Sequence, residues 1–455
     1  MLADFEDYLN GFSPNVQDIL DNFKFRISAG SMGNGNVSPY KYASEMTIAK
    51  ATDFILDGSL ASYTGVATAV PLTLTWEKSS TYDAGFDFDM FSSKLSASFD
   101  YYIRMTTDMY TAGLQLPGVY GGTVPKGNNA ELRTNGWETS IQWKDMLKLG
   151  GKSFSYSIKG TLWDSYSTIT RFVGNEAGTF GTIANLINNI GQPQYYVGMR
   201  IGEMWGYTVE GLFKDYEDIA NSATQEYKQA VDKKTRPGMV KFADLDNSGN
   251  VDYGNLSLDD HGDISIIGNS SPRYLFGINL TGNWNGIGLS VFLQGVGKRD
   301  WYPGKDAGYF WGKYSRPFFY FVPSIHALDN PTVAQLNEDQ TECLNYKTAY
   351  WPRVTTYMTN GDANQTTIMN LPNTRYKQNA AYTRVKNLQI DYTFKENLVK
   401  KTGLTGLKVF VNAENLFVFT PLHKWAPNLD PEGIDGGDED FGASDLNGNS
   451  YPMFK

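Results

Sequence analysis

The sequence reads as an all-β chain that folds into an antiparallel transmembrane β-barrel. Three observations carry that expectation. Apolar and polar residues alternate strictly over stretches longer than ordinary strands. These stretches come in pairs, with short turns inside each pair and long polar segments between pairs. No run of about 18 apolar residues is present to cross a membrane as a helix.

The alternation is fullest in residues 82–105. Tyr82, Ala84, Phe86, Phe88 and Met90 fall on one face, and Asp83, Gly85, Asp87 and Asp89 on the other. A polar turn, Ser92-Ser93-Lys94, follows. The return arm places Leu95, Ala97, Phe99, Tyr101, Ile103 and Met105 opposite Ser96, Ser98, Asp100, Tyr102 and Arg104. Successive β side chains point to opposite faces, so period two of this length predicts two long paired strands. Each arm has about the 9–11 residues that cross a bilayer at a tilt, where soluble strands average about 5–6.

The remaining elements follow in chain order. Ser13-Pro14-Asn15 resembles a helix start, with proline early and a cap before it, and predicts a short helix ending near Asn22. Residues 1–21 are then a linker or periplasmic turn carrying that helix, and residues 22–455 form the barrel part. A strand starts at Phe23, with Phe25, Ile27 and Ala29 opposing Lys24, Arg26 and Ser28. Trp137, Thr139, Ile141 and Trp143 return through Phe154, Tyr156, Ile158 and Leu162. Tyr274, Phe276, Ile278 and Leu280 turn at Asn285-Gly286 into Ile287, Leu289, Val291 and Leu293. Tyr382, Leu388, Ile390, Tyr392 and Phe394 form one arm of the last pair, and Leu407, Val409, Val411 and Ala413 the other. The alternation counts about nine strands. Connections near Ser92, Gly150, Asn285 and Lys401 read as short, and those between pairs as long, without exception. Tight periplasmic turns and long extracellular loops sort in this way.

Composition agrees. Mean hydropathy is −0.39, which a barrel tolerates because alternation hides its apolar residues. Aromatics reach 14%, enough for girdles at both membrane interfaces. The net charge of −10 excludes nucleic acid as a partner, since that needs a basic surface. Cys343 is the single cysteine and His261, His326 and His423 are scattered, so no zinc pattern is present. There is no Ser/His/Asp signature, phosphate loop or paired-carboxylate arrangement, and the chain is expected not to be an enzyme. Asp87, Asp89, Asp100, Arg104 and Glu138 are expected to line a polar lumen.

Specific runs then resemble a known family. Trp76-Glu77-Lys78, residues 82–91, and Phe99-Asp100-Tyr101-Tyr102-Ile103-Arg104 resemble the barrel of the SusC/RagA family of TonB-dependent outer-membrane transporters. Gly136-Trp137-Glu138, Gly268-Asn269 with Pro272-Arg273-Tyr274, and residues 292–300 match in family order. Arg384-Val385-Lys386-Asn387-Leu388-Gln389 and Ala413-Glu414-Asn415-Leu416-Phe417 follow. The resemblance covers nearly everything from about Asn22 onward. It implies a TonB-dependent receptor β-barrel in the outer membrane of a Gram-negative bacterium. Such a protein imports a bulky nutrient, an oligosaccharide or a peptide, beneath a SusD-like surface lipoprotein lid, with energy from the TonB complex through a plug. It also implies that this sequence is the C-terminal part of the barrel, without the plug and without the final strand. The acidic start, Met1 to Asp7, has no signal-peptide character and agrees with that expectation.

Two loops carry candidate sites. Residues 244–252 fit the start of a D-x-D-x-S-G calcium loop. Calcium takes six to eight oxygens, and short oxygen-bearing side chains around a glycine turn supply them. Asp244, Asp246 and Ser248 offer side-chain oxygens, Asn250 its carbonyl, and Asp252 a direct or water-mediated contact. The twelfth position is Asn255, not a bidentate glutamate. The resemblance implies that a later aspartate closes the site, Asp263, or Asp259 or Asp260. An Asp/Asn-rich turn without metal is the competing reading. The second loop carries Trp301, Tyr302, Tyr309, Trp311 and Tyr314, candidates for stacking on sugar rings or peptide side chains, or for packing the loop on itself or a lid. The acidic run 430–445 reads as a solvated loop. A soluble or surface-attached lectin-like or adhesin-like module using these aromatics is the alternative to a transporter.

Overall fold

A computed structural model describes residues 19–425 and 430–435, apart from 36–43, 45, 47, 66, 68, 71–73, 115–116, 118, 120–123, 190, 226–234, 303–330, 354–371 and 401–402. The chain begins its described course with β1 (Leu20–Asn34), followed by the small hairpin β2 (Ile48–Leu56) and β3 (Ser59–Thr64). Four long strands come next: β4 (Glu77–Met90), β5 (Leu95–Ala112), β6 (Lys126–Leu149) and β7 (Lys152–Phe172). Short strands β8 (Glu203–Tyr207), β9 (Val209–Leu212), β10 (Val240–Phe242) and β11 (Ile264–Asn269) lead to β12 (Arg273–Trp284) and β13 (Ile287–Lys298). The two-residue β14 (Asp300–Trp301) and β15 (Gln378–Asn379) precede β16 (Tyr382–Thr393) and β17 (Lys408–Phe419).

One antiparallel sheet of nine strands, ordered β1-β4-β5-β6-β7-β12-β13-β16-β17, forms the wall. Its register follows the alternation. Phe25, Phe86, Phe99, Thr139, Leu162 and Phe276 stand opposite one another across six strands. One residue along, Lys24, Asp87, Ser98, Ser140, Thr161 and Gln294 take the other face, with Gly277 between the last two. A one-residue slip would invert the whole pattern, so the apolar stripe fixes the register. On the apolar face Phe86 stacks on Phe99 at 5.5 Å and Phe99 on Trp137 at 6.4 Å. On the polar face Arg26 forks onto Asp87 at 2.9 Å and Asp100 at 3.0 Å. Gly85 faces this fork, and a Cβ there would lie 2.0 Å from Asp100 Oδ1. Glycine is what lets the two carboxylates share one guanidinium.

Several expectations need correction. The strand starts at Leu20, which pairs with Met90, so the residues before Asn22 are extended where a helix end was expected. The rest of the proposed helix lies outside the described residues. Strands run from 12 to 24 residues in the long pairs, well past the about 9–11 that cross a bilayer. The connection of β16 to β17 spans residues 394–407 and holds a short helix, Glu396–Val399, whereas that of β5 to β6 spans only 113–125. Loop length therefore does not sort strictly, although topology still places these connections at opposite ends of the wall.

Tyr382 does not share a face with Leu388. The pairing of β16 slips between Val385 and Asn387, leaving Lys386 as a bulge residue. An extra residue switches the facing of everything beyond it. Val385 thus joins Leu293 on the apolar face, while Tyr382 and Arg384 turn to the polar one.

The segments between β7 and β12 and between β13 and β16 build a compact core of their own. Phe180, Met199, Tyr207, Phe242, Val251, Ile264, Val333, Trp351 and Tyr376 are buried there. Ile169, near the top of β7, packs into it and ties it to the wall. The acidic run begins inside this region rather than in solvent. Asp430 is buried against Arg384, and Glu432 meets Arg384 at 3.2 Å and Lys386 at 2.6 Å. The strand supplies the cations that the run itself lacks.

Candidate functional site

The acidic loop is held from both ends by core residues. Val251 is fully buried and its amide donates to Thr224 O at 2.7 Å. Ile264, also buried, sits in β11, which pairs with β8 through Ile264 and Tyr207. The residues next to these anchors, Asp252 and Asp263, are therefore fixed in place. Asp263 is fully buried. Its carboxylate accepts from the amides of Leu245 at 2.5 Å and Asp252 at 2.8 Å, which draws the start of the loop over it. Asp244 accepts from the amides of Ser248 and Gly249, and Asp246 from Ser248 at 2.8 Å. Gly249 adopts a φ of +84°, which side-chain-bearing residues avoid and the turn requires.

The result is that Asp244, Asp246 and Asp263 bring one carboxylate oxygen each within 4.8 Å of one another. Burial pushes Asp263 above the usual carboxylate range, the Asp252 and Leu245 amides pull against that, and the Asp246 charge adds to the rise. Asp246 is held below that range by its bonds to Ser248. Three carboxylates at this separation repel unless a proton or a cation lies among them. Short, oxygen-only ligands around a sharp turn suit a hard divalent cation such as calcium.

The other expected ligands sit differently. Ser248 donates its hydroxyl proton to the Asn250 carbonyl oxygen at 2.9 Å, so the two are joined by a hydrogen bond within the loop. Asp252 turns its carboxylate to the Gly254 amide at 2.8 Å. Asp260 accepts from the Asn255 side chain, and among the described residues neither it nor Asp259 joins the three carboxylates.

The aromatic loop divides. Trp301 lies in β14, half-buried and paired with Gln378. Tyr302 is corrected from a ligand-contacting residue to a core one. It is buried, and its hydroxyl accepts from Asn373 Nδ2 at 3.0 Å. Tyr309, Trp311 and Tyr314 lie outside the described residues.

A cavity of about 820 Å³, not anticipated from the sequence, opens where β7, β12 and β13 meet the loop core. Trp163, Ser167, Leu275, Lys298, Asp300 and Lys377 are among its lining residues. Lys377 pairs with Asp300 at 3.1 Å and donates to Ile267 O at 2.8 Å. The lining comes from five separate stretches of chain, which is why no local motif marks it.

No family model matches the chain. It is 25% identical over 420 residues to TonB-dependent receptor P3 of Formosa agariphila, covering 91% of this chain and 36% of that one. It is 23% identical over 248 residues to TonB-dependent receptor SusC of Bacteroides thetaiotaomicron, covering 52% of this chain and 22% of that one. Among solved structures, the RagAB peptide transporter superposes with a TM-score of 0.64 at 17% identity, covering 94% of this chain and 39% of the other. That likeness concerns the fold. The chain spans about two-fifths or less of the length of these relatives.

Proposed function

We propose, from the premise that this chain is SusC/RagA-like and of the TonB-dependent receptor type, that it forms part of the wall and mouth of an outer-membrane nutrient importer. The carrying observation is the nine-stranded sheet with one apolar and one polar face, capped at one end by a packed loop core. An exposed apolar face of this extent suits lipid and is a liability in water. That observation also weighs against the lectin-like alternative.

In this reading a bulky nutrient, an oligosaccharide or a peptide, passes the cavity at the mouth. A SusD-like surface lipoprotein covers the mouth, and the TonB complex supplies energy through a plug. Purification in mild detergent should recover the chain from outer membranes together with a surface lipoprotein. Uptake of the nutrient should stop when the proton gradient is collapsed. A chain that stays soluble and monomeric without detergent would contradict the reading.

We further propose that Asp244, Asp246 and Asp263 hold calcium, with Ser248, Asn250 and Asp252 completing the shell directly or through water. The ion would stiffen the loop core and take no part in chemistry. Calorimetric titration of the receptor with calcium tests this directly. Unchanged binding in Asp244→Ala plus Asp246→Ala would remove the site.

A further inference from the structure

The cavity where the wall meets the loop core is unevenly charged. Its lining includes the cations Arg200, Arg273, Lys298 and Lys377 but only two carboxylates, Glu203 and Asp300. A chain of net charge −10 has thus gathered an excess of cations in one place.

Several of these charges are already matched. Asp300 meets Lys377 at 3.1 Å and accepts from the Asn269 amide at 3.0 Å. Lys377 also donates to Ile267 O at 2.8 Å. Glu203 is buried and accepts from the Tyr196 hydroxyl at 2.7 Å and from the Arg200 amide at 3.0 Å. Arg273 forks onto the buried Asp164 at 2.5 Å. Arg200 and Lys298 are left over. Both are exposed, and neither has an ion pair among the described residues.

The two leftover cations each stand beside Arg273. The Arg200 guanidinium lies 4.7 Å over the Tyr166 ring, and that of Arg273 lies 5.5 Å from the same ring. Lys298 is the partner of Arg273 directly across the strands. Like charges in such positions repel. Asp164 offsets one of the three, and an anion entering the cavity would offset the others. The backbone holds the arrangement in place, because Arg200 bridges to Thr168 of β7 and Lys298 ends β13. Trp163, exposed and opposite Leu275, supplies an apolar surface in the same cavity.

We propose that this cavity selects a nutrient carrying a carboxylate, bound by Arg200 and Lys298, with the adjoining part of the ligand stacked on Trp163. The inference deepens the import reading and rests on it. A guanidinium presents planar donors that match two carboxylate oxygens, and an ammonium adds a point charge. The volume of about 820 Å³ lies within the about 300–1,000 Å³ of small-molecule sites. Oligosaccharides carry the carboxylate on uronic acids and peptides on acidic side chains, and either source presents the same group to the two cations.

The test uses the receptor as the cell makes it, extracted in detergent. Two pools of probes are offered, acidic oligosaccharides from pectin and alginate, and tryptic peptides. Each is compared with the same pool after its carboxylates are neutralised, by reduction in the sugars and by methyl esterification in the peptides. Retained probe is read by native mass spectrometry. The expected result is at least tenfold greater retention of the acidic form in at least one pool, and the pool that shows it identifies the source of the carboxylate. R200Q plus K298Q should erase the preference, while K152Q, at the opposite end of β7, should keep it. Equal retention of acidic and neutralised forms, retention of neither pool, a preference intact in the double variant, or its loss in K152Q would each overturn the proposal. The pool comparison needs no variant, so a misfolded mutant leaves it decisive. Those outcomes in a protein that fractionates with outer membranes leave the import reading standing, whereas a protein soluble without detergent overturns both.

Discussion

Asp263 shows how a single side chain carries a site. Its two oxygens already accept two amide bonds, and its neighbours Asp244 and Asp246 add negative charge. Burial raises the Asp263 pKa above the ordinary 3.8, so without a cation the fold holds its proton more tightly than the unfolded chain does. A raised carboxylate contributes stability below its unfolded pKa and loses it as pH rises through the folded value. Calcium-free receptor should therefore lose loop stability as pH rises from about 4. Calcium at neutral pH should restore it, since the ion takes the ionised carboxylates. Asp246 has the opposite sign, because its pKa is lowered, and its contribution fades below about pH 4. Melting followed with and without chelator across this range checks the prediction, and a chelator-insensitive transition would contradict it. Asp263→Asn should remove both the loss of stability on raising pH and the calcium response, leaving the acid-side contribution of Asp246. The spacing of Asp244, Asp246 and Gly249 was legible in the sequence because a turn is a local object. The way Ser248 and Asn250 bond each other was not, since it depends on how the core clamps the loop.

At the scale of an element, β16 shows where alternation misleads. A bulge at Lys386 has no signature in the sequence, so Tyr382 was grouped with Leu388 although the two face opposite ways. The same bulge brings Arg384 and Lys386 to Asp430 and Glu432 from a distant loop. The Arg384 and Asp430 side chains are both nearly excluded from solvent. Removing one partner of such a pair strands the other charge, at a cost of about 3–5 kcal/mol. Asp430→Asn should thus lower the unfolding midpoint of the loop core and increase protease cutting after residue 420. Glu432→Gln, at a third-exposed site, should do far less. Equal effects of the two would mean that burial is not what matters here. Strand pairs were legible because each is a repeat of one local rule. The cavity and the loop core were not, because Trp163, Lys298 and Lys377 meet only through tertiary packing.

For the whole molecule, the question is which face of the wall meets lipid. The row of Phe25, Phe86, Phe99, Leu162 and Phe276 crosses six strands with Thr139 its one polar member, while the adjacent row of Lys24, Asp87, Ser98, Ser140 and Thr161 is polar up to Gly277. A bilayer accepts the first row at its midplane and water accepts the second. Leu162 sits midway between the Trp143 and Asn135 levels, near the centre of the band. Leu162→Arg should therefore cost about 2–4 kcal/mol of barrel stability, the depth-dependent penalty for a cation at the midplane. An arginine at Ser140, one residue along the neighbouring strand, points to the polar side and should be tolerated. Folded receptor in outer-membrane fractions, measured for the two variants, separates the faces. If Ser140→Arg proved the more damaging, the faces would be reversed, and the row of Phe25, Phe86 and Phe99 would line the lumen instead of meeting lipid.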